Sequence, residues 1–395
     1  MYHATNSQPA LLPSNWYTDP SIHDRERIAL RQAGWQLVTT TTELSKPGDY
    51  QALDRLGVPL IVRNHDGELV ALRNVCAHRQ CQLVTEGGGH AKELKCPYHG
   101  WQYGGDGRTR KIPAAKNFPH FDRELYRLGS FPVRVVGQLV FVNLSGGASQ
   151  GADESDLATL GDDDWVSDFA ANTDATSWRQ VLQEELEYPC DWKIPIEGSL
   201  ESYHLSEVHS QTFGSDPGES ESTHELMAWG TRFRTDARDD SFLARMEERV
   251  MRWMVGEFGP HYQHVHVFPN IMASFTDTMS LVYQITPIGI STSKMTVFGF
   301  TRRPKRSGVV GKMVANGLGR SAASMARKVL AEDAAIFPRV QAGMDSAGAA
   351  GMNEKASRIF GRCEERLHAF HVHWNASMKA ESMKSNKDSL EDHHE

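Results

Sequence analysis

Short apolar runs separated by polar turns fill the stretch from Trp35 to Leu144: WQLVTTT, VPLIVRN, ELVALRNV and QLVFVNL, punctuated by HDGE, EGGGH, GGDGR and VVGQ. Runs of this length closed by Gly and Asp predict strands and tight turns, so residues 36–145 read as a small all-β domain. Ahead of it, residues 1–20 are polar and carry Pro9, Pro13 and Pro20, the pattern of an arm lying on other structure. A short helix is expected over 22–33, with Asp24 and Glu26 in its first turn and Gly34 just past its end. Residues 1–35 are thus an arm and helix expected to pack on the C-terminal domain.

Residues 146–175 are rich in Gly, Ser and Asp without periodicity and read as a linker or surface excursion. From about Trp178 the pattern predicts helix to about residue 210. QHVHVFPNIMASF, SLVYQITPI and KMTVFGF then predict an antiparallel sheet, and a helical stretch over 318–378 closes a domain of residues 176–378. The charged end, residues 379–395, predicts a disordered tail. The fold class is α+β, with no internal repeat.

A chain of 395 residues has room for about two to three domains. With 42 Lys and Arg against 50 Asp and Glu the net charge is -8, which argues against nucleic acid or an anionic membrane as main partner. No basic segment precedes an apolar run near residue 1, and nowhere do about twenty apolar residues follow one another, so a cytoplasmic protein is expected. Five cysteines in this length do not make a disulfide scaffold.

Their spacing with histidine is more telling. Cys76-x-His78 is followed by seventeen residues and then Cys96-x2-His99, each pair between strand and turn patterns. Two thiolates and two imidazoles so arranged can clamp a [2Fe-2S] cluster, with Cys on one iron and His on the other. Zinc binds the same donor types, but zinc-finger spacing puts two to four residues inside the first pair and sets the two His together on a helix. Alternating Cys and His in Gly-rich turns favours the cluster. The segments CAHRQ and CPYHGW resemble the C-x-H-R-G and C-P-Y-H-G-W signature of the Rieske oxygenases, with Gln80 where that family usually has Gly. Cys81 lies beside the first loop, but Tyr98 stands where a partner cysteine would sit, so Cys81, Cys190 and Cys363 read as unpaired packing residues.

DWKIPIEGSLESYHLSEVHS places His204 and His209 five residues apart. An ideal helix would set them about 140 degrees apart, so shared ligation needs a π-type turn or a helix that breaks. The segment resembles the second Rieske oxygenase motif, N-W-K followed by an acidic residue, Y-H, four residues and H. It departs from that motif at Asp191, where the family has Asn, and at Gly198, where it often has Asn. The resemblance implies a mononuclear Fe(II) on His204, His209 and a carboxylate from a late helix. In LAEDAAIFPRVQAGMDS that carboxylate is Asp333, with Glu332 beside it as competitor. Glu201, three residues before His204, is expected to bridge electrons between the two centres without binding metal.

The resemblance runs over nearly the whole chain. It implies an N-terminal Rieske [2Fe-2S] domain, a helix-grip-like catalytic domain and a homotrimer in which the cluster of one subunit feeds the iron of its neighbour. No G-x-G-x-x-G fingerprint follows a strand, so NAD(P)H and flavin belong to a separate reductase. The WYTDP arm, the GDY and FPN segments and Glu201 in place of the usual Asp resemble the branch acting on quaternary ammonium compounds such as choline, betaines and carnitine. In that branch O2 is used for hydroxylation or oxidative demethylation. An aromatic substrate is the alternative. Trp229, Phe233, Tyr262, Phe268 and Tyr283 are candidates for a cage around a cation. A Rieske ferredoxin-type electron carrier would need only residues 36–145 and leaves the second motif without a purpose.

Overall fold

The computed structural model describes residues 2–146, 164–210, 212, 222–236, 242–305, 308–350 and 358–391. The chain forms two compact units, one of Leu30–Ala171 and one of Met1–Ala29 with Asn172–Glu395. The first elements are a two-residue strand β1 (Gln8–Pro9) and helix α1 (Pro20–Gln32). Pro20 opens α1, where its missing N–H costs nothing, and Gly34 closes it at φ +92.

The smaller unit carries β2 (Trp35–Thr40), β3 (Asp49–Arg55), β4 (Val58–His65), β5 (Glu68–Arg73), β6 (Gly87–His90), β7 (Leu94–Lys95), β8 (Gln102–Tyr103), β9 (Thr109–Lys111), β10 (Ser130–Phe131), β11 (Val133–Val136) and β12 (Leu139–Asn143). They form sheets of order β10-β5-β4-β3-β6, β11-β12-β2 and β7-β8-β9. The continuous apolar run of β4 is explained by burial on both faces. Leu60 and Val62 pack with Val38, Val140 and Val142, whereas Ile61 faces a second cluster that contains Cys76, Cys96, Trp101 and Tyr103.

Part of the expected linker is a helix, α2 (Asp164–Thr173). Its Trp165 and Phe169 are buried, with the Trp165 ring 6.3 Å from Phe141. The apolar positions of DWVSDFAANT therefore mark a docked helix inside a polar stretch; residues 147–163 of the expected linker lie outside the described residues.

The larger unit is built on a seven-stranded antiparallel sheet of order β13-β19-β18-β17-β16-β15-β14. Its elements are β13 (Trp178–Tyr188), α3 (Lys193–Ser199), α4 (Leu205–Val208), β14 (Ser222–Met227), β15 (Gly230–Asp236), α5 (Phe242–Val255), β16 (His261–Val267), β17 (Ile271–Thr276), β18 (Met279–Gly289), β19 (Thr292–Arg302), α6 (Val309–Ala334), α7 (Phe337–Ala350), β20 (Ile359–Phe360) and α8 (Glu365–Glu391). Residues directly opposite across the ladder share a face. One face therefore carries Glu184, Val297 and Tyr283, and also Ser274, His264, Tyr262 and Phe233. Helix α6 meets this face through Arg327 on Glu184, and α8 meets it through Arg366 on Thr231 and His264 and Phe370 on His266.

Three expectations are corrected here. The domain opens on strand β13 rather than helix: its Glu- and Gln-rich composition favours helix locally, but eleven residues pair with β19 and bury Trp178, Leu182 and Tyr188. The closing helical stretch begins earlier than expected and is broken between α6 and α7 and again before α8. The tail from residue 379 continues α8 as far as Glu391, and Glu381 is buried against Arg25 of α1 at 3.1 Å.

Glu26 also differs from expectation. It is no exposed first-turn residue but fully buried. Its carboxylate accepts from Lys193 Nζ at 2.7 and 2.8 Å and from the indole N–H groups of Trp192 and Trp374, each at 2.9 Å. A buried carboxylate persists only with such a full set of donors, and this one ties α1 to α3 and α8.

Candidate metal centres

In the smaller unit Cys76 and Cys96 open two turns of the same hydrogen-bond pattern. Cys76 N–H donates to Cys81 O at 2.8 Å and Gln80 N–H to Cys76 O at 3.1 Å. Cys96 N–H donates to Trp101 O at 2.8 Å and Gly100 N–H to Cys96 O at 3.0 Å. Both cysteines are buried and unbridged, and the rings of His78 and His99 stand 4.7 Å apart. The backbone amides of Tyr98 and His99 point at Cys96 Sγ and, against the effect of burial, hold that thiol below its ordinary pKa.

His78 Nδ1 is buried with no hydrogen-bond partner among the described residues. An orphaned acceptor is costly unless something else satisfies it, and beside two buried thiols and a second imidazole it fits a mixed-ligand cluster. Trp101 stacks flat on the His78 ring at 4.8 Å and holds its orientation. Tyr103 was not singled out in the sequence. Its hydroxyl accepts from Ala77 N–H at 3.0 Å and lies 3.0 Å from Cys76 Sγ. Burial, then its contact with Cys76, pushes the phenol far up, so it stays a donor to sulfur. Cys81 is partly exposed and unbridged, with its thiol 3.3 Å from Gln82 O.

In the larger unit α4 has only four residues, with His204 just before it and His209 just after. Truncation of the helix solves the angular problem of a five-residue spacing: the two rings stand 5.2 Å apart. One ligand atom from each of His204, His209 and Asp333 lies within 4.8 Å of the others. His209 Nε2 is 3.0 Å and His204 Nε2 3.9 Å from Asp333 Oδ1.

The other nitrogen of each ring has its own carboxylate. His204 Nδ1 is 2.5 Å from Glu201 Oε1, while Glu201 Oε2 accepts the His204 backbone N–H at 3.0 Å. His209 Nδ1 is 2.8 Å from Glu332 Oε2, and both Glu332 oxygens also accept from Thr212 Oγ1 at 2.9 Å. An imidazole whose Nδ1–H is held by a carboxylate offers its Nε2 lone pair to a metal. Burial opposes protonation of both histidines, but Glu201 and Asp333 for His204, and Asp333 and Glu332 for His209, outweigh it and raise both values. Two histidines and one carboxylate with open positions suit Fe(II), and Glu332, the sequence competitor, faces the outer nitrogen of His209.

Of the five candidate cage aromatics, Phe233, Tyr262 and Tyr283 share the sheet face beneath α8. Trp229 instead lies under Arg232, and Phe268 stacks on His373 at 4.1 Å.

A family model described as the ring hydroxylating alpha subunit, catalytic domain, matches residues 175–380, and one for the Rieske [2Fe-2S] domain matches residues 34–132. Choline monooxygenase, chloroplastic, of Spinacia oleracea is 30% identical over 203 residues, 50% of this chain and 44% of that protein. The glycine betaine monooxygenase oxygenase subunit of Chromohalobacter salexigens is 30% identical over 206 residues, 52% of this chain and 44% of that protein. The match thus spans less than half the length of these relatives. The crystal structure of the quaternary ammonium Rieske monooxygenase CntA with L-carnitine shares the fold at TM-score 0.67 and 20% identity, covering 93% of this chain and 95% of that one. With its catalytic-domain model covering more than half of the residues, this chain belongs to the ring hydroxylating alpha subunit family of oxidoreductases, with a Rieske [2Fe-2S] cluster and Fe(II) as cofactors.

Proposed function

We propose that the chain is the oxygenase component of a multicomponent system that uses O2 to hydroxylate or oxidatively demethylate a small quaternary ammonium compound. Cys76, His78, Cys96 and His99 hold the cluster, and His204, His209 and Asp333 hold the iron. The observation that carries this reading is the convergence of the two Nε2 atoms on Asp333 while carboxylates occupy both Nδ1 atoms. When bound, the cluster supplies single electrons and the iron supplies O2 activation. The protein keeps each imidazole in one tautomer and fixes its direction, so the open side of the site is set before substrate arrives.

A separate NAD(P)H-dependent flavin reductase provides the electrons, and the working assembly is a homotrimer in which the cluster of one subunit serves the iron of its neighbour. Glu201 is the bridge: with one carboxylate oxygen on His204 Nδ1, it retains lone pairs for a second imidazole N–H. No helix among the described residues is long and apolar enough to cross a membrane. The resemblance to relatives named for choline and glycine betaine favours a quaternary ammonium substrate.

NADH-coupled O2 uptake with a surrogate reductase, run across betaines, choline and aromatic acids with product identification, tests the proposal. Uptake coupled to a demethylated or hydroxylated ammonium product is expected. Coupled turnover of aromatic acids alone would contradict the substrate assignment. Glu201→Gln should keep both metals, reduce normally at the cluster and fail in a single turnover from the pre-reduced state; near wild-type product would remove Glu201 from the electron path.

A further inference from the structure

Arg366, in the first turn of α8, is 2% exposed, yet no carboxylate among the described residues lies within salt-bridge distance of it. Its Nε–H donates to Thr231 Oγ1 at 3.0 Å, and Nη2 donates to His264 Nδ1 at 2.7 Å and His264 O at 3.5 Å. All three acceptors are neutral. Nη1 has no acceptor among the described residues, although a guanidinium carries five N–H donors in a fixed fork. Glu365, before it in sequence, favours the charge on Arg366 but makes no ion pair with it: its Oε2 accepts from the backbone amides of His3 and Ala4 at 2.8 and 2.7 Å, and its Oε1 lies 3.0 Å from His224 Nδ1.

A buried charge without a direct ion-pair partner is expensive to maintain, so its place in the unit matters. Arg366 reaches the sheet face that also carries Tyr262 and Tyr283. Because His264 Nδ1 accepts from Arg366, His264 Nε2 bears the proton and donates to Tyr283 Oη at 3.0 Å. Helix α6, which carries Asp333 near its end, packs on the same face through Arg327 and Glu184, and Tyr262 and Tyr283 feel the charges of both Arg366 and Asp333. Burial depresses the Arg366 value to about 10, which leaves it fully charged near neutral pH.

We infer that Arg366 anchors a carboxylate on the substrate, so that the compound taken is a zwitterion or acid whose anionic end meets Nη1 while its reacting end lies toward His204, His209 and Asp333. The inference rests on the proposed oxygenase site and narrows its substrate: betaine-type molecules satisfy it, and choline, which lacks the carboxylate, does not. A planar carboxylate opposite a guanidinium forms charge-assisted hydrogen bonds that a hydroxyl or ester cannot replace.

Calorimetric titration of the iron- and cluster-loaded protein with glycine betaine, glycine betaine methyl ester, choline and benzoate tests it, using wild type, Arg366→Lys and Arg366→Gln. Wild type should bind glycine betaine at least about tenfold more tightly than the ester or choline, Arg366→Lys should keep part of that preference, and Arg366→Gln should lose it. If Arg366→Gln does not fold, the acid and ester pair on wild type still decides. Equal affinity of wild type for glycine betaine and its ester, or turnover of choline in preference to betaine, would overturn the anchor and leave the oxygenase function standing. Binding of benzoate that depends on Arg366, with betaine ignored, would sustain the anchor and remove the ammonium substrate from the proposed function.

Discussion

Gln80 and Gly100 occupy the same position in the two cluster loops, each four residues after a cysteine whose carbonyl its N–H meets, and each with left-handed backbone at φ +56 and +71. Glycine adopts this conformation freely, and an L residue there is strained by about 1–2 kcal/mol. The loop geometry expected from the family signature is thus kept by Gln80 at a cost. Gln80→Gly should stabilise the smaller unit by up to about 1 kcal/mol after glycine's own entropy is counted, seen as a rise of a few degrees in its thermal midpoint. An unchanged or lower midpoint would show that Gln80 makes compensating contacts.

Tyr103 donates to Cys76 Sγ from a fully buried position. Hydrogen bonds to cluster sulfurs favour the reduced, more negative state. Tyr103→Phe should therefore lower the midpoint potential, by on the order of 50 mV for a hydrogen bond of about 1 kcal/mol in a one-electron couple. A redox titration followed by EPR reads it, and a potential unchanged within error would remove this bond from the account.

Glu332 and Asp333 are neighbours in the last turn of α6, yet they meet opposite nitrogens of His209. Asp333→Ala should abolish mononuclear iron binding with the cluster spectrum intact. Glu332→Gln should weaken iron binding by about 10–100-fold without abolishing it, as expected of a partner that only orients a ligand. Metal analysis after dialysis separates the two; the reverse order would exchange their roles.

Asp191 stands where the motif this segment resembles has Asn, and burial pushes its carboxyl up to about 7, with Lys193 working against the shift and Glu26 adding to it. The folded state therefore binds more protons than the unfolded state between about 4 and 7, so this group's contribution to stability falls as pH rises through that window and is level above it. Asp191→Asn removes the titration. Its thermal midpoint relative to wild type should rise steadily from pH 4 to pH 7, and a difference that is flat or falls over that range would refute the assignment.

Much of the proposed site is legible in the sequence because the candidate ligands come in closely spaced groups. Cys76, His78, Cys96 and His99 sit on paired local turns, and His204 and His209 bracket one short helix. What escaped the sequence depends on partners far along the chain. Glu26 looks like an ordinary helix-entry residue until Lys193 and Trp374 surround it. Glu332 and Asp333 could not be told apart because only the direction of each side chain toward His209 distinguishes them. Strand β13 was read as helix because its Glu and Gln content reflects local propensity, whereas pairing with β19 is a tertiary choice.

The central claim is that one chain carries both a mixed-ligand cluster and a separate mononuclear iron. Its most direct test is iron analysis with EPR on anaerobically purified, dithionite-reduced protein, wild type beside His204→Ala. The account predicts about three iron atoms per chain and a rhombic cluster signal for wild type, and about two iron atoms with the same signal for His204→Ala. A colourless wild-type protein with stoichiometric zinc, or loss of the cluster signal on changing His204 alone, would contradict it.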